Sequence, residues 1–287
     1  MRVARQVAET EPRRRAVALG TFDGVHLGHR RVLEAALASG LVPTVVTFDP
    51  HPRIALGYEV ELLATLERRL ELIAELGIED ALVVEFDLEL ARLGAEEFAE
   101  AVLRPLGTEL VVAGVNFRFG RGRSGDLAVL RRCGFDARSV PLVEGVSSSR
   151  IRDLLRAGEI ERAAKLLGRP PELDGTVVAG DARGGTLGFP TANLSVVPRL
   201  LVPAFGIYAG AAEGTRAAIS IGTNPHYGGE ERRIEAYLLD FEGDLYGRRL
   251  VLELWRRLRD ERAFDSEEEL VAQIARDVEA TREARRP

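Results

Sequence analysis

The chain has 287 residues, 46% of them hydrophobic, and a formal net charge of −6 at pH 7. That length accommodates two domains of about 100–200 residues each, while no apolar run approaches the roughly 18 residues of a membrane helix. The acidic balance argues against broad nucleic-acid binding; a single cysteine, Cys133, excludes an internal disulfide and a Cys-rich metal site; and Lys165, the only lysine, excludes a Walker-type P-loop and a lysine Schiff base.

The N-terminal stretch Met1 to Arg15 is polar and charged, without the apolar core of a signal peptide, so a cytoplasmic protein is expected. From Arg15 to about Val143, apolar runs alternate with helical patterns. The runs are Ala16–Leu19, Val42–Phe48, Ala81–Phe86, Leu110–Val115 and Ala137–Leu142. Between them lie the helical patterns Arg30–Ala38, Leu66–Leu76, Ala95–Leu103 and Asp126–Arg132. Strands apolar throughout and separated by helices predict an α/β domain, a doubly wound parallel sheet covered on both faces. Ligands of such sheets bind beyond the carboxyl ends of the strands. The loops expected there carry GTFDGVHLGH (Gly20 to His29), DPHPR (Asp49 to Arg53) and GVNFRFGRGRSGD (Gly114 to Asp126).

The first of these loops joins a strand to a helix through glycines, and such a junction offers backbone N–H groups and the positive helix end to a phosphate. His26 and His29 are three apart and face one side of that junction, and Gly28 leaves room for a close approach. Histidine pairs at this spacing also serve as metal ligands, with His51, Asp23 or Asp49 as the third. A buried structural pair is the plainer alternative. The glycines and the helix start favour an anion, with both histidines stabilising charge as one phosphate attacks another.

Val146-Ser147-Ser148-Ser149-Arg150-Ile151-Arg152 then opens an amphipathic pattern that runs to Gly168. Hydroxyls and arginines at a helix start suit a second anion contact, or an ordinary serine cap. Arg169-Pro170-Pro171 breaks the pattern. Beyond it, short strands separated by glycine turns (Gly175–Val178, Gly206–Ala211, Ala217–Ile221, Ile234–Phe241 and Leu250–Leu258) predict an antiparallel β-barrel. A last helix is expected from Ser266 to about Arg285, capped by Ser266. The boundary falls near Pro170–Leu173, giving domains 1–170 and 171–287.

In the second domain, Gly180 to Asn193 reads GDARGGTLGFPTAN. Its glycines, Gly180, Gly184, Gly185 and Gly188, suit backbone donation to phosphates. Thr191 and Asn193 offer two neutral oxygens for magnesium, which also takes phosphate oxygens and water. A glycine-rich barrel turn is the other reading. Glu235 is a carboxylate on an apolar strand, on the face opposite Ile234 and Ala236 and shared with Tyr237; a solvated strand residue is its alternative.

HLGH within GTFDGVHLGH resembles the HxGH signature of the nucleotidyltransferase superfamily. TFDPHPR, GVNFRFG and SSSRIRDLL resemble further motifs of the prokaryotic bifunctional riboflavin kinase/FMN adenylyltransferase family, the FAD synthetases of riboflavin biosynthesis. LGFPTAN, PAFGIYAG, IGTNP, the acidic strand and GDLYGRRL resemble its riboflavin kinase domain, so the likeness spans residues 15 to 285. It implies that His26 and His29 bind the ATP phosphates and stabilise the transition state. Gly20, Phe22, Asp23, Gly24, Gly28, His51, Asn116, Ser147, Ser148 and Arg152 would line the nucleotide, with Phe119 near the flavin. In the barrel it implies Gly180 and Gly188 at the nucleotide, Phe189 at the flavin, Thr191 and Asn193 on magnesium, and Glu235 as the base for the riboflavin 5′-hydroxyl. Ser149 stands where the family usually has Thr, Gly185 where it has Arg, His226 where it has Thr, and Tyr237 where it has His.

The expected function is ATP-dependent phosphorylation of riboflavin to FMN and adenylylation of FMN to FAD, with magnesium and ATP, as a monomer or weak homo-oligomer that binds neither nucleic acid nor membrane. Two alternatives stay open at this point: an adenylyltransferase with an impaired barrel, or a flavin-binding regulatory protein without turnover.

Overall fold

The computed structural model describes residues 1–180, 188–223 and 232–287. The sequence readings at Gly184, Gly185 and His226 lie outside them. Two compact units are present: one of residues 1–60 and 66–147, the other of residues 61–65 and 148–287.

Among the described residues, the first unit is built on six strands: β1 (Arg2–Ala4), β2 (Arg15–Leu19), β3 (Val42–Asp49), β4 (Asp80–Glu85), β5 (Thr108–Gly114) and β6 (Asp136–Val140). All pairings are parallel, in the order β1-β4-β3-β2-β5-β6. Alternation along each strand sends residues to two separate cores. Val17, Leu19, Val46 and Val111 pack with Phe98, Leu103 and Leu130 on one face. Ala16, Ala18, Val45 and Val112 pack with Leu33 and Ile73 on the other. Helices therefore cover both faces, as the continuous apolar runs require.

From β2 the chain steps outward to β3 and β4, then crosses to the opposite side of β2 for β5. The order reverses between β2 and β5, and the crevice at such a switch point is where doubly wound sheets bind ligands.

At the amino ends of the strands lies a buried ion cluster. Arg15, 2% exposed, pairs with Asp80 and gives Nε to the Leu106 carbonyl at 2.9 Å. Arg2 adds a 2.8 Å contact to the same carboxylate. Burial raises the Asp80 pKa, but hydrogen bonds from Arg15 and Arg2 outweigh it and hold the carboxyl below its usual range. A depressed carboxylate stabilises the fold above its unfolded pKa, and that contribution is lost as pH falls through the folded value. Asp80→Asn is thus expected to cost about 3 kcal/mol near pH 7, because Arg15 stays buried without its counter-charge. Urea unfolding of both proteins should show the gap narrowing below about pH 4.

The second unit holds β7 (Glu172–Val178), β8 (Ala192–Val196), β9 (Gly206–Ala212), β10 (Thr215–Thr223), β11 (Arg232–Leu238) and β12 (Arg249–Arg259). They close an antiparallel barrel in the order β10-β11-β8-β7-β12-β9. Its interior is filled by Leu173, Tyr208, Ile219, Ile234, Leu252 and Leu254. The C-terminal helix Glu267–Glu283 starts as expected, with the Ser266 hydroxyl accepting from the Glu269 N–H at 3.2 Å.

The structure departs from the sequence reading at several places, among them the strand β8, for which the sequence analysis expects no run. The three-residue β1 is added at the sheet edge, paired with β4. The first helix begins at Leu27 instead of Arg30, because the His26 ring caps it. The pattern after Val146 is two helices, Ser148–Arg156 and Ile160–Leu167, separated at Gly158, whose φ is 74°. Both belong to the second unit, as does the segment Glu61–Thr65; there Leu62 donates to the Arg199 carbonyl at 2.6 Å.

Candidate active site

In the first unit, β2 ends at Leu19 and the backbone turns sharply through Phe22 (φ 51°), Gly24 (φ 83°) and Val25 (φ 40°). Left-handed conformations at a phenylalanine and a β-branched valine cost about 1–3 kcal/mol each and persist only where the surroundings impose them. Here Phe22 and Val25, each 2% exposed, are buried in the core on the face of Leu33 and Ile73. The turn delivers His26 to the cap position of the helix Leu27–Leu37 and His29 to its first turn.

The two imidazoles stack with centroids 3.6 Å apart and planes 14° from parallel. His26 Nδ1 accepts the His29 N–H at 3.2 Å, which leaves Nε2 to carry the ring proton as a donor. The Phe22 ring stands edge-on to His29, with centroids at 5.4 Å. A Cβ on Gly28 would press on the His26 ring at 3.2 Å, so the glycine keeps this pair in place as well as leaving room for a ligand. Asp23 is buried at 1% exposure within the turn.

The loops on either side come from the strands next to β2. His51, after β3, caps the short helix Pro52–Ala55 by accepting the Arg53 N–H on Nδ1 at 3.2 Å. Asn116, after β5, is exposed, and its Oδ1 would meet a Cβ on Gly114 at 3.3 Å. Phe119 is buried; its ring stacks on Phe117 at 5.6 Å and meets Phe98 at 5.8 Å. Phe117, partly exposed, was not singled out in the sequence.

Ser147 closes the first unit, whereas Ser148 and Arg152 belong to the second. In the second unit Arg152 is buried and gives its Nε to the Glu61 carbonyl at 2.6 Å.

Arg69 is a residue that the sequence reading passed over. It lies on the helix Leu66–Glu75 at 3% exposure, on one face with Leu72 and Ile73. The available signal was positional: Arg69 occupies the first place of an i, i+3, i+4 stripe whose other members are apolar.

The second unit brings its candidates together across strands. Asn193 pairs with Val178 on one side and with Glu235 on the other. Directly opposed residues on antiparallel strands have Cβ atoms about 4.5–5.5 Å apart, so the Asn193 and Glu235 side chains share one patch. Ile234, Ala236 and Leu238 are buried while Glu235 and Tyr237 are half-exposed, which is the alternation expected from the sequence. A Cβ on Gly180 would collide with the Asn193 side chain, so the Gly180 backbone lies directly against it. Gly188 has φ 85°, a conformation that favours glycine.

The Phe189 ring meets Tyr237 edge-on at 5.4 Å. Thr191 lines a cavity of about 200 Å³ with Pro190, Ala192, Phe241 and Tyr246. Thr191 and Asn193 supply hard neutral oxygens, and no cluster of three or more His, Cys, Asp or Glu exists among the described residues. Two neutral oxygens of this kind suit a magnesium ion that also takes phosphate oxygens and water.

Comparison with known proteins assigns the two halves. The family model for FAD synthetase matches residues 8–151, and that for riboflavin kinase matches residues 167–285. The chain is 36% identical to the bifunctional riboflavin kinase/FMN adenylyltransferase of Listeria monocytogenes, over 93% of this chain and 91% of that protein. Identity to the protein of the same description from Escherichia coli is 37%, with the same coverage. A solved structure described as a macrolide-efflux protein from Streptococcus pneumoniae matches with a TM-score of 0.88 at 33% identity, covering 98% of both chains. No helix among the described residues is long and apolar enough to cross a membrane.

Proposed function

The chain belongs to the bifunctional riboflavin kinase/FMN adenylyltransferase family, and from that premise we propose which of its residues perform each reaction. The protein phosphorylates riboflavin with ATP to FMN and adenylylates FMN with ATP to FAD, releasing pyrophosphate. We assign adenylylation to residues 1–170 and phosphorylation to residues 171–287. What supports placing the two reactions in different halves is that each compact unit has its own constellation, the units themselves dividing between Ser147 and Ser148 with residues 61–65 in the second. One has the stacked His26 and His29 at the strand-order reversal; the other has Asn193 opposite Glu235 and against Gly180.

In adenylylation the FMN phosphate attacks the α-phosphorus of ATP and pyrophosphate leaves. His26 and His29 donate to the phosphate oxygens on which charge grows, and the N-terminus of the helix Leu27–Leu37 adds the field of its dipole. The remaining nucleotide contacts within the first unit come from His51, Asn116 and Ser147. Asp23, being buried, serves through the turn it helps shape. Phe119, packed on Phe117, forms the apolar floor for the flavin.

In phosphorylation the Glu235 carboxylate takes the proton of the riboflavin 5′-hydroxyl as that oxygen attacks the γ-phosphorus of ATP and ADP leaves with the bridging oxygen. Thr191 and Asn193 would hold magnesium, which neutralises phosphate charge when bound. Gly180 and Gly188 give close backbone approach to the phosphates, and Phe189 stands against the flavin. The protein acts in the cytoplasm without nucleic acid, as a monomer or weak homo-oligomer.

A time course from riboflavin, ATP and magnesium, with flavins separated by chromatography, tests the reading. FMN is expected first and FAD after it, and FMN supplied directly should yield FAD. FAD from FMN with no FMN from riboflavin would contradict the assignment of the barrel.

A further inference from the structure

The buried guanidinium of Arg69 has no part in the reaction as assigned so far, yet its contacts all lead to the site. Nη1 donates to the Thr21 carbonyl at 2.9 Å and Nη2 to the Phe48 carbonyl at 3.1 Å. Those carbonyls lie at the carboxyl ends of β2 and β3, one at the base of the loop bearing His26 and His29, the other at the base of the loop bearing His51. The Thr21 carbonyl also accepts the Thr47 hydroxyl at 3.2 Å. The Asp23 and Asp49 carboxylates, one from each loop, lie close enough to act on the Arg69 charge.

Stability alone does not account for a charge at this position. Leu72 and Ile73 on the same helix face are buried, and a methionine at 69 would fill similar space without the cost of burying a cation. Arg69 Nε is buried without a hydrogen-bond partner, so the fold itself leaves one donor unused. What the guanidinium supplies is a rigid fork across two strand ends. The left-handed turn at Phe22, Gly24 and Val25 starts one residue beyond the carbonyl it grips.

We propose that Arg69 is a positioning residue for adenylylation: it fixes the carboxyl ends of β2 and β3, and with them the spacing of the histidine-bearing loops around the reacting phosphates. This rests on the assignment of FAD formation to His26 and His29. A displacement of about 1 Å at such a site lowers turnover about 10²-fold. Substrate binding uses many further contacts, so the effect falls on kcat more than on KM.

The test is Arg69→Met and Arg69→Lys in the full chain, with FAD formation from FMN, riboflavin phosphorylation and thermal unfolding measured on each. Arg69→Met is expected to lower kcat for FAD about 10²-fold, with KM for ATP and FMN changed less than about threefold. Riboflavin phosphorylation by the same protein stays at the wild-type rate. Arg69→Lys, whose ammonium reaches one carbonyl and not both, recovers part of the loss. A folded Arg69→Met protein with wild-type kcat overturns the inference, as does a loss confined to KM. Should Arg69→Met unfold the first unit, folded Arg69→Lys decides: lowered kcat supports the role, and unchanged kcat overturns it. If His29→Ala also left FAD formation intact, the underlying assignment of the histidines would have failed instead.

Discussion

His29→Ala is expected to lower FAD formation from FMN by about 10²–10³-fold, the usual loss when one preorganised donor is removed from a site of developing charge. FMN formation from riboflavin by the same protein should be unchanged. The fold should tolerate the substitution. His29 is half-buried in the first turn of the helix Leu27–Leu37, and alanine is a better helix former than histidine. Its backbone N–H, which caps onto His26 Nδ1, is retained. What is lost is the imidazole stacked on His26 and braced by Phe22. Kinetics from FMN and from riboflavin, with thermal unfolding as a control, separate this outcome from general damage. A folded variant that still makes FAD at the wild-type rate would remove His29 from the mechanism.

Glu235→Gln should do the reverse, lowering riboflavin phosphorylation by about 10²–10⁴-fold, the range for loss of a positioned general base. FAD formation from added FMN should stay at the wild-type rate. The amide keeps the size of the carboxylate, and Glu235 is only half-exposed on β11, opposite Asn193 and Ser220 in the strand register. Its nearest ion pair, with Arg233 at 3.5 Å, is partly exposed and contributes little to stability. A Gln variant that phosphorylates riboflavin normally would show that the hydroxyl loses its proton elsewhere.

Much of this organisation was legible in the sequence because burial writes itself as pattern. Ala16–Leu19 and Leu110–Val115 are apolar on both faces, Val42–Phe48 is interrupted only by Thr44 and Thr47, and the structure buries both faces. The loops with glycine and histidine had to follow those strands, so the strand ends carrying His26, His51 and Asn116 could be named before any coordinates. Glu235 was readable because one carboxylate interrupts an apolar alternation.

The unreadable parts are those fixed at long range. β1 is three residues of an edge strand, Arg2-Val3-Ala4, with no periodicity to mark it. Ala192–Val196 is half polar and follows a Pro-containing loop, so it reads as loop until its pairing with β7 and β11 is seen. Nothing local ties Glu61–Thr65 to a unit that resumes at Ser148; that link is made by Leu62 with Arg199 and by Glu61 with Arg152. Arg69 was hidden by its chemistry, since an arginine on a helix reads as a surface residue until its exposure of 3% is known.

The central claim is one reaction per unit, and the most direct test assays folded His29→Ala and Glu235→Gln proteins side by side, each from riboflavin and from FMN. The predicted result is complementary: His29→Ala stops at FMN, while Glu235→Gln makes FAD from FMN and almost nothing from riboflavin. Loss of both reactions in either folded variant would contradict the claim.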